Sequence, residues 1–139
     1  MDKDESYSDL SGSWTGVYDY PDHQADPVTF NAILAETAGS LSGEIIEPNT
    51  INPEAGKFLY ASVTGSVAGS SVRFMKFYED FDNDVHEVIY EGTADPSLTR
   101  IDGRWTTIEE TPWSGPFVMN RVRTKAAVQR EHAGDVAPR

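Results

Sequence analysis

Glu47, Lys76, Tyr20, Tyr78, His86 and Tyr90 are the residues of this chain whose types and positions could do chemistry together. They offer a carboxylate, an ammonium, an imidazole and phenols, groups able to act as general acid or base, with histidine titrating nearest to neutrality. Each falls on the inward parity of a stretch in which apolar and polar residues alternate. A charge facing inward is costly unless paired or wetted, so Lys76 and Glu47 form a natural ion pair. The motifs that would make a catalyst of such groups are missing: there is no Gly-x-Ser-x-Gly elbow, no phosphate-cradling glycine loop and no His-Glu-x-x-His pair. The residues therefore read as a binding site, with no catalytic residue and no cofactor assigned. Trp105, on the same parity, and Trp113, in a connection, complete the candidate ligand-binding set.

One acidic pattern bears on metal binding. Asp80, Asp82 and Asp84 alternate, and Glu91 stands where the last ligand of an EF-hand loop would fall. Val85 replaces the central glycine of that loop, however, and the following residues read as strand. An acidic hairpin tip is the simpler account. His23, His86 and His132 are too dispersed for a zinc site, and no metal is expected.

The elements that must position these side chains are strands. Period-two alternation, β-branched and aromatic enrichment, and Gly, Pro, Asn and Asp punctuation mark eight runs: Ser11–Tyr20, Val28–Thr37, Leu41–Glu47, Phe58–Val67, Ser71–Glu79, His86–Thr93, Ile101–Ile108 and Gly115–Arg123. Glycines recur as Gly12, Gly43, Gly65, Gly92 and Gly103 toward the end where the first strand begins, with Gly115 alone at the other end. Connections at the glycine-rich end are short. Those at the opposite end, Pro21–Pro27, Pro48–Lys57, Asp80–Val85 and Glu109–Ser114, are longer, and long loops on one rim of a rigid barrel are where binding usually sits. The expected fold is all-β, a single antiparallel up-and-down barrel of eight strands, pinched at a floor and open at a mouth.

Alternation then assigns the faces. Trp14 and Arg121 fall inward near the floor, whereas Tyr20, Glu47, Lys76, Tyr78 and His86 fall inward toward the mouth. Arg73, Met75 and Phe77 point outward, a partly apolar exterior suited to self-association.

At 139 residues the chain fits one domain. Residues 11–123 make the barrel, 1–10 read as a flexible N-terminus, and the polar stretch 124–139 as a flexible or partly helical tail. A formal net charge of −12 disfavours a nucleic-acid partner. No apolar run reaches the length of a membrane span, and the acidic opening MDKDESYSDL is unlike a secretory signal. With no cysteine there is no disulfide framework, which suits a reducing compartment, and the expected location is the cytoplasm.

Gly12-Ser13-Trp14 on the first strand, with Arg121 near the end of the last, resembles the signature shared by the calycins, the lipocalins, fatty-acid-binding proteins and avidins. In those families an early Gly-x-Trp lays the indole across the barrel floor and a basic side chain of the last strand packs over it. The compact length looks closer to avidin than to a typical lipocalin, and the Gly16-x-Tyr18-x-Tyr20 opening is similar to that of small bacterial avidin-like or lipocalin-like barrels. Avidin's biotin contacts do not map onto this sequence, so biotin binding is not carried over. The functional expectation is a non-enzymatic barrel taking a small, partly apolar ligand at its mouth, with Trp113 and Tyr20 as gates. The alternative is a protein-interaction or inhibitor module that presents the mouth loops on a packed barrel.

Overall fold

All eight runs are strands in the computed structural model, which describes residues 7–50, 54, 56–79 and 87–123. They are β1 Gly12–Tyr18, β2 Val28–Thr37, β3 Ser40–Pro48, β4 Phe58–Ala68, β5 Ser71–Tyr78, β6 Glu87–Ala94, β7 Arg100–Thr107 and β8 Ser114–Arg121. Spatial order follows chain order, and β1 pairs with β8 to close the barrel. Closure leaves no open sheet edge, and eight strands enclose a space that side chains can just fill.

The alternation in the sequence is the alternation in space. On β2, Val28, Phe30, Ala32 and Leu34 are buried while Thr29, Asn31, Ile33 and Ala35 are exposed. Equivalent positions on the other strands complete one continuous core. Outward Met75 and Phe77 are half-buried and Arg73 is exposed, and Tyr60 on the neighbouring β4 is exposed as well.

At the floor Gly12, Trp14 and Arg121 pack as one unit. Trp14 is fully buried, and its Nε1 donates to the Leu10 carbonyl at 3.0 Å. Arg121, directly across from Trp14 in the β1–β8 register, stacks its guanidinium 4.9 Å from the indole and 3.8 Å from the Tyr7 ring. It donates to the carbonyls of Leu98 (2.9 Å), Ser11 (2.7 Å) and Asp9. Gly12 is required here: its φ is +138°, and a Cβ would lie 3.1 Å from Arg121 Nη1. Burial of Arg121 draws its pKa below the usual arginine value, the first sign that the floor trades hydration for packing.

Packing begins earlier than the boundary at Ser11 suggests. Leu10 is buried in the core, and its N–H donates to Glu36 Oε1 at 2.9 Å. Leu10 continues the parity of Gly12 and Trp14, so the inward face extends one step into the acidic opening.

Turns at the floor are tight. Between β2 and β3, Ala38 and Gly39 both have positive φ (51° and 85°), as a two-residue hairpin turn of the primed type requires. The connections 19–27, 49–57, 79–86 and 108–113 at the other rim are longer, and the first holds a single 3-10 turn, Pro21–His23. The aspartates 80, 82 and 84, His86 and the tail from Thr124 lie outside the described residues.

Candidate functional site

Barrel closure brings together side chains far apart in the chain. Glu47 at the end of β3 and Lys76 on β5 are 2 % and 1 % exposed, and the ion pair expected between them forms, with Lys76 Nζ 2.8 Å from Glu47 Oε1. Tyr18 of β1 and Tyr78 of β5 donate to Glu47 Oε2 at 2.9 and 2.8 Å. Lys76 also donates to Tyr90 Oη of β6 at 3.1 Å. Desolvating two ions costs several kcal/mol each, and only close geometry with further hydrogen bonds offsets that. Both conditions are met, since each carboxylate oxygen is engaged and the ammonium has a carboxylate and a hydroxyl.

Aromatic faces complete the setting. The ammonium lies 4.6 Å from the ring centroid of Tyr78, 4.8 Å from Tyr18, 5.3 Å from Tyr90 and 5.9 Å from Phe30. A desolvated cation over such a face gains up to about 2 kcal/mol per favourable ring, though four rings around one charge do not add fully. Burial pushes the phenols of Tyr18, Tyr78 and Tyr90 above their usual pKa, and Glu47 adds to the rise, while Lys76 pulls Tyr78 partly back. For Lys76 burial favours proton loss, but Tyr78 and Glu47 outweigh it and its pKa rises. At neutral pH Lys76 therefore keeps its charge and the three phenols around it stay neutral.

Below this cluster the barrel is filled. Phe74 and Tyr90 stack at 4.9 Å, and Phe117 meets Tyr90 edge-on at 4.8 Å. All three rings are buried. Above it an aromatic ladder climbs to the rim: Tyr18 to Tyr20 and Trp105, each at 5.8 Å, then Tyr20 to Trp113 at 6.3 Å, all edge-on. Trp105 is anchored by its Nε1, which donates to the Asp19 carbonyl at 2.9 Å. Gly115 makes room for that contact, since a Cβ there would lie 2.8 Å from Trp105 Nε1, which accounts for the one glycine expected at this end. Trp113 is 45 % exposed at the top of the ladder.

Of the residues singled out from sequence, Glu47, Lys76, Tyr78 and Tyr90 meet in one hydrogen-bonded cluster, and Tyr20, Trp105 and Trp113 form the ladder above it. His86 lies outside the described residues. Tyr18 and Phe30 belong to the cluster and were not singled out. Their signal was present, because both sit on the inward parity of strands whose other inward members are Trp14, Tyr20 and Val28. Among the described residues no three His, Asp or Glu side chains gather to hold a metal ion. A hollow of about 360 Å³ on the outer wall of β1, β2 and β8, lined by Thr15, Thr29, Asn31 and Asn120, has no charged side chain in its lining and is separate from the mouth.

No protein-family model matches the sequence, and none of the curated proteins matches it. Among solved structures, the selenomethionine derivative of a biogenic amine-binding protein superimposes with a TM-score of 0.57. The match covers 96 % of this chain and 74 % of that one at 13 % sequence identity, a likeness of fold.

Proposed function

We propose that this chain is a non-enzymatic small-molecule-binding barrel whose ligand, small and partly apolar, rests at the mouth on Tyr20, Tyr78, Trp105 and Trp113. The observation that carries the reading is the contrast in surface at one rim. An aromatic ladder ends in a half-exposed tryptophan directly above a buried polar cluster, within the ring of longer connections. Apolar walls with a few convergent polar groups are what small-molecule sites offer. The fold likeness to a protein named for binding biogenic amines supports the class of function, a ligand-binding barrel, and not the ligand.

Tryptophan fluorescence tests the reading. Trp105 and Trp113 stand at the mouth, whereas Trp14 is buried at the floor. Titration with a library of small aromatic and aliphatic metabolites should give a saturable change that Trp113→Phe reduces. A silent library would overturn it.

The filled midsection favours a second reading, a protein-interaction or inhibitor module whose barrel holds the mouth loops. A purified partner that binds the wild type and is lost with Trp113→Asp, alongside a silent metabolite screen, would select it.

A further inference from the structure

The polar cluster has the composition of a receptor for an ammonium ion. A carboxylate at 2.8 Å, a hydroxyl at 3.1 Å and four aromatic rings within 6 Å surround one nitrogen, and that nitrogen belongs to the chain itself. We infer that Glu47, Tyr18, Tyr78, Tyr90 and Phe30 form a primary-ammonium-binding site whose resident occupant is the tethered ammonium of Lys76. The inference goes beyond the mouth reading and does not depend on a ligand there.

Three observations carry it. The recognising groups come from strands other than that of Lys76, except for Tyr78: Tyr18 on β1, Phe30 on β2, Glu47 on β3 and Tyr90 on β6. The receptor is thus built by barrel closure and the lysine enters it from one wall, with Val63 and Val88 beside it in register. Second, the carboxylate has partners besides the lysine: Tyr18 and Tyr78 both donate to Oε2 while Lys76 takes Oε1, and of the two phenols Tyr78 also bonds Lys76. Removing the lysine would leave a positioned, desolvated anion facing aromatic walls, which is the chemistry that selects a cation over a neutral amine. Third, the occupant is sealed, with 1 % of Lys76 exposed.

While Lys76 is in place, a cationic amine reaching the cluster from the mouth finds Glu47 already neutralised and a like charge beside it. The intact barrel should therefore discriminate against amines at this depth, although its recognising groups are suited to them.

Truncation to Lys76→Ala tests the inference, because n-propylammonium reproduces the missing Cγ, Cδ, Cε and Nζ. At tenfold excess over its Kd this amine should raise the Tm of the variant by about 5 °C, and the effect should saturate. Equal concentrations of n-propanol or potassium chloride should do much less, and the wild type should not respond. Adding Glu47→Gln to the variant should weaken the amine's effect at least about tenfold. If Lys76→Ala does not fold alone, refolding in n-propylammonium but not in n-propanol gives the same support. Equal effects of amine and alcohol, an equal response of the wild type, or failure of the amine to restore folding would each overturn the inference.

Discussion

Among the described residues the barrel buries one cation near each end, and it holds them by opposite means. Arg121 at the floor is satisfied by backbone carbonyls of Leu98, Ser11 and Asp9 and by two rings, with no carboxylate among its hydrogen-bond acceptors in the described residues. Lys76 toward the mouth is held by side chains, the Glu47 carboxylate and the phenols of Tyr90 and Tyr78, within an aromatic shell. The floor cation ties segments of chain together: the stretch before β1, the turn before β7 and the end of β8. Its acceptors are neutral dipoles near the rim, which water can satisfy if the arginine is lost. The mouth cation has an ionic partner sealed from water, so neither ion tolerates loss of the other. Two cations over aromatic faces therefore have different meanings, one a staple and the other half of a buried receptor.

The sharpest way to break this comparison is to remove one ion at the mouth. Lys76→Met or Glu47→Gln alone should cost about 3–5 kcal/mol, because each strands an unpaired partner in the interior. The two changes together should cost less than their sum by at least about 2 kcal/mol. Urea midpoints with a double-mutant cycle measure both. An additive result would mean that the pair is hydrated in solution.

Alkali should act on the same end. Tyr18, Tyr78, Tyr90 and Lys76 all have raised pKa values in the folded state, so above about pH 10 the unfolded chain releases protons that the folded barrel retains. Stability is then complete below that pH and falls as pH rises, by up to about 1.4 kcal/mol per pH unit for each group that the unfolded chain titrates. Tyrosinate absorbance near 295 nm (about that wavelength for ionised phenol) should lag in the folded state and rise sharply at unfolding. Early, gradual ionisation of all six tyrosines would show that the cluster is open to water.

The staple predicts a smaller and more local loss. Arg121→Met should cost about 1.5–3 kcal/mol, the range for hydrogen bonds to a charged group. Hydrogen exchange should accelerate at residues 9–12 and 98–100 before the central strands respond. A loss as large and as global as that of Lys76→Met would erase the distinction between the two ends.

Much of this contrast was legible in the residues, and the reason is parity. An eight-stranded barrel has an inside and an outside, so period two turns Trp14, Arg121, Glu47 and Lys76 inward, and the up-and-down strand order puts the first two at one end and the last two toward the other. Parity does not carry register. That Tyr18 rather than Tyr20 reaches Glu47, or that Lys76 reaches down to Tyr90, depends on strand stagger, with Tyr18 opposite Val28 and Phe117 and Lys76 opposite Val63 and Val88. Leu10 had the right parity but lay among acidic and polar neighbours, and its burial follows from Arg121 binding the carbonyls on either side of it. Polar positions whose partners are backbone carbonyls are the hardest to read, because a carbonyl carries no residue identity.

The smallest effect separates the two ends by the sign of their pH response. In the turn before β7, Asp95 accepts hydrogen bonds from the N–H of Thr99 (2.9 Å) and of Arg100 (3.1 Å) and from the hydroxyl of Ser97 (2.9 Å). Its slight burial acts to raise the pKa, but those donors outweigh it and the carboxyl lies below its usual value. The same turn presents the Leu98 carbonyl to Arg121 and the Thr99 carbonyl to the Arg121 N–H. A lowered carboxyl stabilises above the ordinary aspartate value near about pH 4 and loses that contribution as pH falls through the folded value. The floor should therefore loosen in acid and the mouth in alkali. Asp95→Asn should remove part of the acid response, by a fraction of a kcal/mol at this exposed site, while leaving the alkaline limb unchanged. Stability curves of the two proteins that differ on the alkaline side instead would show that the ends are coupled through the filled midsection.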